Sequence, residues 1–418
     1  MTAIDRRTLL AAAAAAPFVV SAFGGSADAA VTVSAPRSAG FSPEGLAKLN
    51  AAMHALVDDK KLAGVVTLAA RHGKVVNFDA YGAADAGAGA PMKKDTIFRI
   101  ASMTKPIVGV AMMTLWEEGK WKLDDPVAKF IPEFADLKVS TGVAATAPLK
   151  TPMLMKHLMS HTAGFDVNAG YDGVQLSGTD LQGMIDILKT LPLAAQPGAD
   201  WRYGPSVNIQ GYIVEKLTGQ GLDVVLQKRI FDPCGMKDTQ FWVDPAKKER
   251  AARIHSYDGA GKIVPAFLEN RVQTTKPRFL AGTGGLWSTA EDYWRFCQML
   301  LNRGRAGGRR IIKPSTIELM HTNVLEPGVK VDTFGPAQEG LGFGLDFAIV
   351  MDQAAAKTPM AVNSFYWGGA FGTWFWIDPV NDLIFVGMIQ NLNGSVPTSP
   401  TPHVREISPQ LLYAALTK

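Results

Sequence analysis

The sequence predicts an α+β fold: one antiparallel sheet built from both chain ends and flanked by helices, with a mostly helical lobe inserted between them. Three observations predict it. Strand-like apolar runs cluster near the start of the chain (65–70 and 75–80) and again near its end (373–377 and 383–390). The stretch between them carries helical patterns broken by Gly and Pro, clearest at 184–191 and 209–217. The chain is also long enough, at 418 residues with 47% hydrophobic and 19% charged, to bury a core without disulfide or metal staples.

Each element has a local cause. Ser42-Pro43-Glu44 is a helix start, an N-cap serine followed by a proline in the first turn. Leu46, Leu49, Met53, Leu56 and Val57 then recur on one face, and Gly64 is expected to end that helix. Arg71-His72-Gly73-Lys74 joins the first two strands as a hairpin. A second apolar helix is expected from about Ser102 to Trp116, stopping near Gly119. Asp378-Pro379-Val380-Asn381-Asp382 is a turn between the last two strands, and Ser408-Pro409 is expected to open a terminal helix running through Leu416. The division is one domain, 30–418, with an α/β lobe at about 40–138 and 277–418 and the helical lobe at about 139–276.

The first 29 residues read as a leader. Asp5-Arg6-Arg7-Thr8-Leu9-Leu10 precedes an Ala-rich apolar run, and Ala27-Asp28-Ala29 is a small-x-small cleavage pattern. The run is too short and Ala-rich for a membrane span. The paired arginines resemble a twin-arginine signal, with Asp5 where Ser or Thr usually stands. A periplasmic or secreted location follows, with export machinery as the partner during secretion. Cleavage would remove Asp5, Arg6, Arg7 and Asp28, two charges of each sign, so the net +4 is unchanged. A charge that small, without a basic run, argues against nucleic-acid binding. Two cysteines, Cys234 and Cys297, exclude a disulfide scaffold by count and are expected as separate thiols.

The sharpest chemical feature is Ile100-Ala101-Ser102-Met103-Thr104-Lys105-Pro106. On a helix beginning near Ser102, Ser102 and Lys105 share a face at i and i+3. A neutral lysine there can take the hydroxyl proton, provided that burial or neighbouring charge lowers its pKa. Free N–H groups of the first turn can stabilise an oxyanion. Pro106 supports the placement, since a first-turn proline costs little and an interior one about 3 kcal/mol. His157 and His161 stand four apart, but no carboxylate motif accompanies them and a structural role for His161 is expected; neither metal nor organic cofactor is called for. No Gly-x-Ser-x-Gly elbow, Gly-x-Gly-x-x-Gly or Walker loop occurs.

Further phrases accompany Ser-x-x-Lys. They are 158–165 (Leu-Met-Ser-His-Thr-Ala-Gly-Phe), Tyr203 within Asp200-Trp201-Arg202-Tyr203-Gly204-Pro205, 284–292 (Gly-Gly-Leu-Trp-Ser-Thr-Ala-Glu-Asp), and Trp367-Gly368-Gly369-Ala370-Phe371. In this order they resemble the serine β-lactamase and penicillin-binding-protein superfamily, on its class C-like branch, and most of all the family VIII carboxylesterases. The resemblance implies a serine β-lactamase-like fold. It implies Ser102 as the acylated nucleophile, Lys105 as its proton acceptor and Tyr203 as proton relay. The backbone N–H groups of Ser102 and Ala370 would form the oxyanion hole, and Trp367, Gly368, Gly369 and Phe371 would line the substrate site, with Trp367 and Phe371 exposed to it. Two departures bear on the substrate. Pro205 stands where the family's Tyr-x-Asn has its amide, and Trp367 stands where Lys-Thr-Gly has its lysine. An apolar wall with one N–H donor suits a neutral ester better than an anionic β-lactam. The expected function is an exported serine hydrolase acting on small-molecule carboxylic esters through an acyl-serine. A β-lactamase, a D-amino-acid peptidase or amidase, an acyltransferase, and an inactive ligand-binding protein on this fold stay open. Specificity is expected in the loops 164–177 and 324–342.

Overall fold

The computed structural model describes residues 31–166, 178–258, 260–266, 271–332, 338–392 and 404–417. The expected leader, 1–29, and parts of both loops expected to set specificity (167–177 and 333–337), lie outside the described residues.

An eight-stranded antiparallel sheet organises the chain. Its strands are β1 (Gly64–Arg71), β2 (Lys74–Asp85), β3 (Ala90–Pro91), β4 (Leu341–Phe343), β5 (Ala348–Val350), β6 (Phe365–Gly368), β7 (Trp374–Asp378) and β8 (Leu383–Met388). The spatial order is β4-β5-β6-β7-β8-β1-β2-β3. The two ends of the chain therefore meet at the β8–β1 seam, where Leu68 pairs with Val386 and Ala70 with Ile384. His72 and Gly73 both have positive φ (52° and 69°), the two-residue primed turn whose twist matches the β1–β2 hairpin. At the β7–β8 turn the Asp378 carboxylate accepts the N–H groups of Val380 and Asn381 at 2.8 and 3.0 Å.

Period-two alternation sends the central strands into two cores. Ile384, Val386 and Met388 of β8, with Val66 and Leu68 of β1, face the large core. That core also contains helix α2 (Thr104–Glu117), helix α3 (Ser206–Thr218) and helix α4 (Ala290–Leu301). Leu383 and Phe385, with Val65 and Ala69, face a smaller core closed by helix α1 (Pro43–Asp58) and the terminal helix α5 (Val404–Ala414). Trp374 and Trp376 stack on Phe385 with centroids 5.8 and 5.7 Å apart. Both indole N–H groups donate to Ser408 Oγ on α5, at 3.0 and 3.3 Å, which satisfies two buried donors with one hydroxyl.

Helix α1 starts where expected, with Ser42 Oγ accepting the Gly45 N–H at 3.1 Å. Gly64 does not end it. The helix stops at Asp58 and Gly64 opens β1, because a side chain there would collide with the Tyr81 and Ala83 backbone of the paired strand. The terminal helix begins at Val404, four residues before the expected Ser408-Pro409 start. Pro409 lies inside it, and the Arg405 carbonyl, left without the N–H of residue 409, receives the Ser408 hydroxyl at 3.4 Å. Cys234 and Cys297 are both free and buried. Among the described residues no helix is long and apolar enough to cross a membrane.

Gly387 marks the tightest point of the sheet. Any Cβ there would overlap the Trp374 ring, which Ser408 holds in place. Gly387→Ala is expected to lower unfolding free energy by about 1–3 kcal/mol through overpacking. Urea titrations monitored by tryptophan fluorescence check it; an unchanged midpoint would mean that the indole moves freely.

Candidate active site

Ser102 sits in a single 3₁₀ turn (Ala101–Met103) that leads directly into α2. Three contacts fix this turn. The Ile100 N–H donates to the Leu286 carbonyl at 3.1 Å, the Leu286 N–H donates to Thr104 Oγ1 at 3.2 Å, and the Tyr293 hydroxyl donates to the Met103 carbonyl at 2.9 Å. The Gly-Gly-Leu-Trp-Ser-Thr stretch thus lies against the serine: Trp287–Ser288 pairs with Phe98–Arg99, and Thr289 caps α4 through the Asp292 N–H at 3.1 Å. Ala101, just before Ser102, has φ 45°, a left-handed conformation unfavourable for alanine. Gly284 lies beside it, and a Cβ there would already be 3.4 Å from the Ala101 carbonyl carbon.

Lys105 points back along the helix to Ser102. Its Nζ makes hydrogen bonds to Ser102 Oγ at 3.2 Å and to the Thr283 carbonyl at 2.7 Å, and lies 4.3 Å from the centre of the Tyr203 ring. The structure therefore brings Ser102, Lys105 and Tyr203 together. Lys105 is only 3% exposed, and burial pulls its pKa from the ordinary lysine value down to about 7, with Asp346 opposing that shift.

Two supporting residues, Asn208 and Asp346, carry no signal in the sequence. Asn208, one turn into α3, is buried; its Oδ1 accepts the Thr283 N–H at 2.9 Å, so an amide holds the residue whose carbonyl holds Lys105. Pro205 supplies no amide, and Asn208 brings one from three positions further on. Asp346 is fully buried against Gly109, the residue one helical turn beyond Lys105; a Cβ at 109 would come within 2.5 Å of the carboxylate. It accepts a hydrogen bond from Gln210 Nε2 at 3.2 Å, and burial raises its pKa well above the carboxylate range. His161 is also fully buried, its Nε2 3.9 Å from Asp346 Oδ1 and its ring 5.0 Å from that of Tyr203. Burial, and then Lys105, hold its pKa well below the usual histidine value, so it packs as a neutral imidazole beneath the tyrosine. His157 does not point with it toward one centre: its Nδ1 accepts the Leu154 N–H at 3.1 Å at the start of its own helix. Among the described residues no trio of His, Cys, Asp or Glu converges as a metal site.

Trp367 stands at the end of β6, its ring 5.6 Å from that of Tyr203 and 5.4 Å from that of Phe343. The expectation that it is exposed to a pocket needs correction. Trp367 is 9% exposed because Trp201, Tyr203 and Phe343 pack around it, so it forms a wall rather than a projecting ring. Phe371 is half-buried and Ala370 exposed, both in the turn between β6 and β7. Gly369 has no room for a side chain, since a Cβ would overlap the Ile100 carbonyl and Thr373 Oγ1. That close approach sets the turn carrying Ala370 directly beside the serine turn.

Comparison with known proteins places the chain in a family. The Beta-lactamase family model matches residues 49–406. The chain is 34% identical over 359 residues to Protein Rv1367c of Mycobacterium tuberculosis, covering 82% of this chain and 89% of the other. It is 31% identical over 360 residues to Esterase EstB of Burkholderia gladioli, covering 79% and 86%. Among solved structures it is similar to EstCE1, described as a hydrolase with promiscuous acyltransferase activity, with a TM-score of 0.74, 25% identity and coverage of 88% and 99%.

The buried amine links stability to pH. Between about 7 and the unfolded lysine value of 10.5, the unfolded chain binds a proton at Lys105 that the folded chain does not. This group therefore adds stability as pH rises through that window, at about 1.4 kcal/mol per pH unit. Lys105→Met lacks the slope. Relative to the parent it is expected to be most stable near pH 6 and to lose that advantage toward pH 9, as read by denaturant titration at the two pH values. Parallel stability curves would mean that the amine is not desolvated.

Proposed function

The chain belongs to the Beta-lactamase family, has the serine β-lactamase and penicillin-binding-protein fold and is a serine hydrolase; from that premise we propose that it is an exported esterase that cleaves carboxylic esters through an acyl-serine at Ser102. One observation carries the reading. A buried amine, pulled toward neutrality by desolvation, lies 3.2 Å from a serine hydroxyl and 4.3 Å from the centre of a tyrosine ring.

The roles follow from these positions. Neutral Lys105 spends one N–H on the Thr283 carbonyl, and its lone pair accepts the Ser102 proton as the oxygen attacks the ester carbon. The tetrahedral oxyanion is met by the N–H groups of Ser102 and Ala370. Tyr203 passes the proton to the departing alkoxide, which leaves as the alcohol. Water then attacks the acyl-serine, giving up its proton through Tyr203 and Lys105, and Ser102 is restored as the acid departs. The acyl group lies along the Gly368-Gly369 backbone, with Phe371 at the rim and Trp367 as its apolar wall. The aromatic wall favours a neutral ester, and the esterase relatives support that choice. Transfer of the acyl group to an alcohol or amine in place of water is a second reading, favoured by the description of EstCE1. Export rests on the residue pattern of 1–29 and is checked by sequencing the N-terminus of the secreted protein, expected at residue 30.

Ser102→Ala is expected to abolish hydrolysis of a short-chain nitrophenyl ester with the circular-dichroism spectrum unchanged, and to lose labelling by a fluorophosphonate probe. Parental activity in that variant would remove Ser102 as nucleophile, and an unlabelled parent would make the protein a binder. Tyr203→Phe should slow turnover by about 10²–10⁴-fold. The kcat/KM profile should rise with pH through about 7, because protonated Lys105 cannot accept the serine proton. Against nitrocefin, D-Ala peptides and esters of graded length, the esters should dominate; faster nitrocefin turnover would reassign the substrate.

A further inference from the structure

The turn that carries Ala370 is gripped from two sides. On the nucleophile side, the Thr373 hydroxyl donates to the Ile100 carbonyl at 3.1 Å, and Gly369 packs against that same carbonyl. Within the turn, the Gly369 N–H donates to the Thr373 carbonyl at 2.7 Å and the Gly372 N–H donates to the Gly369 carbonyl at 3.0 Å. On the far side stands Arg405, the second residue of α5. Its Nη2 donates to both of those carbonyls, Gly369 at 2.6 Å and Thr373 at 3.1 Å. The guanidinium also lies against Gly368, where a Cβ would come within 2.5 Å of its carbon. One cation thus holds the two ends of a five-residue turn, and the flanking glycine gives it room.

The charge on Arg405 is costly where it is. Desolvation lowers its pKa to about 10, still well above neutrality, and among the described residues no carboxylate pairs with it. Arg405 is half-buried, and a guanidinium partly removed from water is normally paired with an acid. Here it is spent on backbone carbonyls at the base of the proposed oxyanion hole.

We propose that Arg405 is a positioning residue for acyl transfer: it fixes the 369–373 turn so that the Ala370 N–H meets the oxyanion. This rests on the reading of Ser102 and Ala370 given above. Arg405 acts through the turn and forms no bond to the substrate. Its effect is confined to the tetrahedral state, because a planar ester carbonyl gains little from a donor aimed at the oxyanion.

The test compares Arg405→Met and Arg405→Lys with the parent on a nitrophenyl ester. It also measures binding of a phenylboronic acid, which becomes tetrahedral on a serine, and of the uncleaved amide isostere of the ester, which stays planar. In Arg405→Met, kcat is expected to fall about 10–100-fold with KM nearly constant. The boronate should weaken by the same factor while the amide isostere binds as before. Arg405→Lys should recover part of the rate, and methylguanidinium should restore activity to Arg405→Ala. A kcat within about twofold of the parent in Arg405→Met, or equal weakening of boronate and amide, overturns the proposal. If Arg405→Met does not fold, the boronate-to-amide ratio in Arg405→Lys decides in its place. Ser102→Ala run alongside separates the two ideas: persistent activity there defeats the nucleophile reading itself, whatever Arg405 does.

Discussion

Keeping one amine out of water is the constraint around which this molecule is arranged. A lysine at ordinary pKa is a cation near neutral pH and cannot accept a proton from serine. Lowering that value to about 7 takes nearly complete burial, and burial takes partners for the N–H groups that water would otherwise satisfy. Thr283 provides one acceptor, and Asn208 holds Thr283 in turn. Asp346, kept close by the missing side chain of Gly109, limits how far the pKa can fall. These residues come from α2, α3, the segment before α4 and the link between β4 and β5. The buried amine is therefore a product of the whole core.

The sheet makes that convergence possible. Pairing β8 with β1 joins residues more than three hundred positions apart and places both chain ends in one layer. The Ser102 turn and α2 follow the early strands and pack on one face, while β6 and β7 bring the Ala370 turn from the late strands to the same spot. The contact between Ile100 and Gly369 is where the two halves touch. Strain gathers at this meeting point. Ala101 is left-handed immediately before the nucleophile, and glycines occupy 368 and 369, where side chains would crowd Arg405 or the neighbouring backbone.

Much of the site was legible because its chemistry is local or carried by short phrases. Ser102 and Lys105 share a helix face by spacing alone, and the β1–β2 and β7–β8 hairpins announce themselves through their turns. Misplaced expectations failed for specific reasons. Gly64 looked like a helix stop, yet it is glycine because the partner strand comes close. Ser408-Pro409 looked like a helix start, yet Ser408 accepts two tryptophan N–H groups inside a helix already begun. Trp367 looked like an exposed ring, yet three aromatic neighbours from distant segments cover it.

By itself, the sequence determined the α+β class, the sheet drawn from both ends, and Ser102 and Lys105 as candidates for chemistry, with Tyr203 added by the family resemblance. Hydrophobic period, turn residues and i, i+3 spacing are properties of neighbouring positions, and a linear reading captures them. Tertiary structure alone decided that Asn208, Asp346 and His161 surround the amine and the phenol, and that Arg405 grips the turn beside the serine. Those roles depend on burial and on contacts between residues far apart in the chain. Desolvation and close approach have no magnitude until the chain has packed.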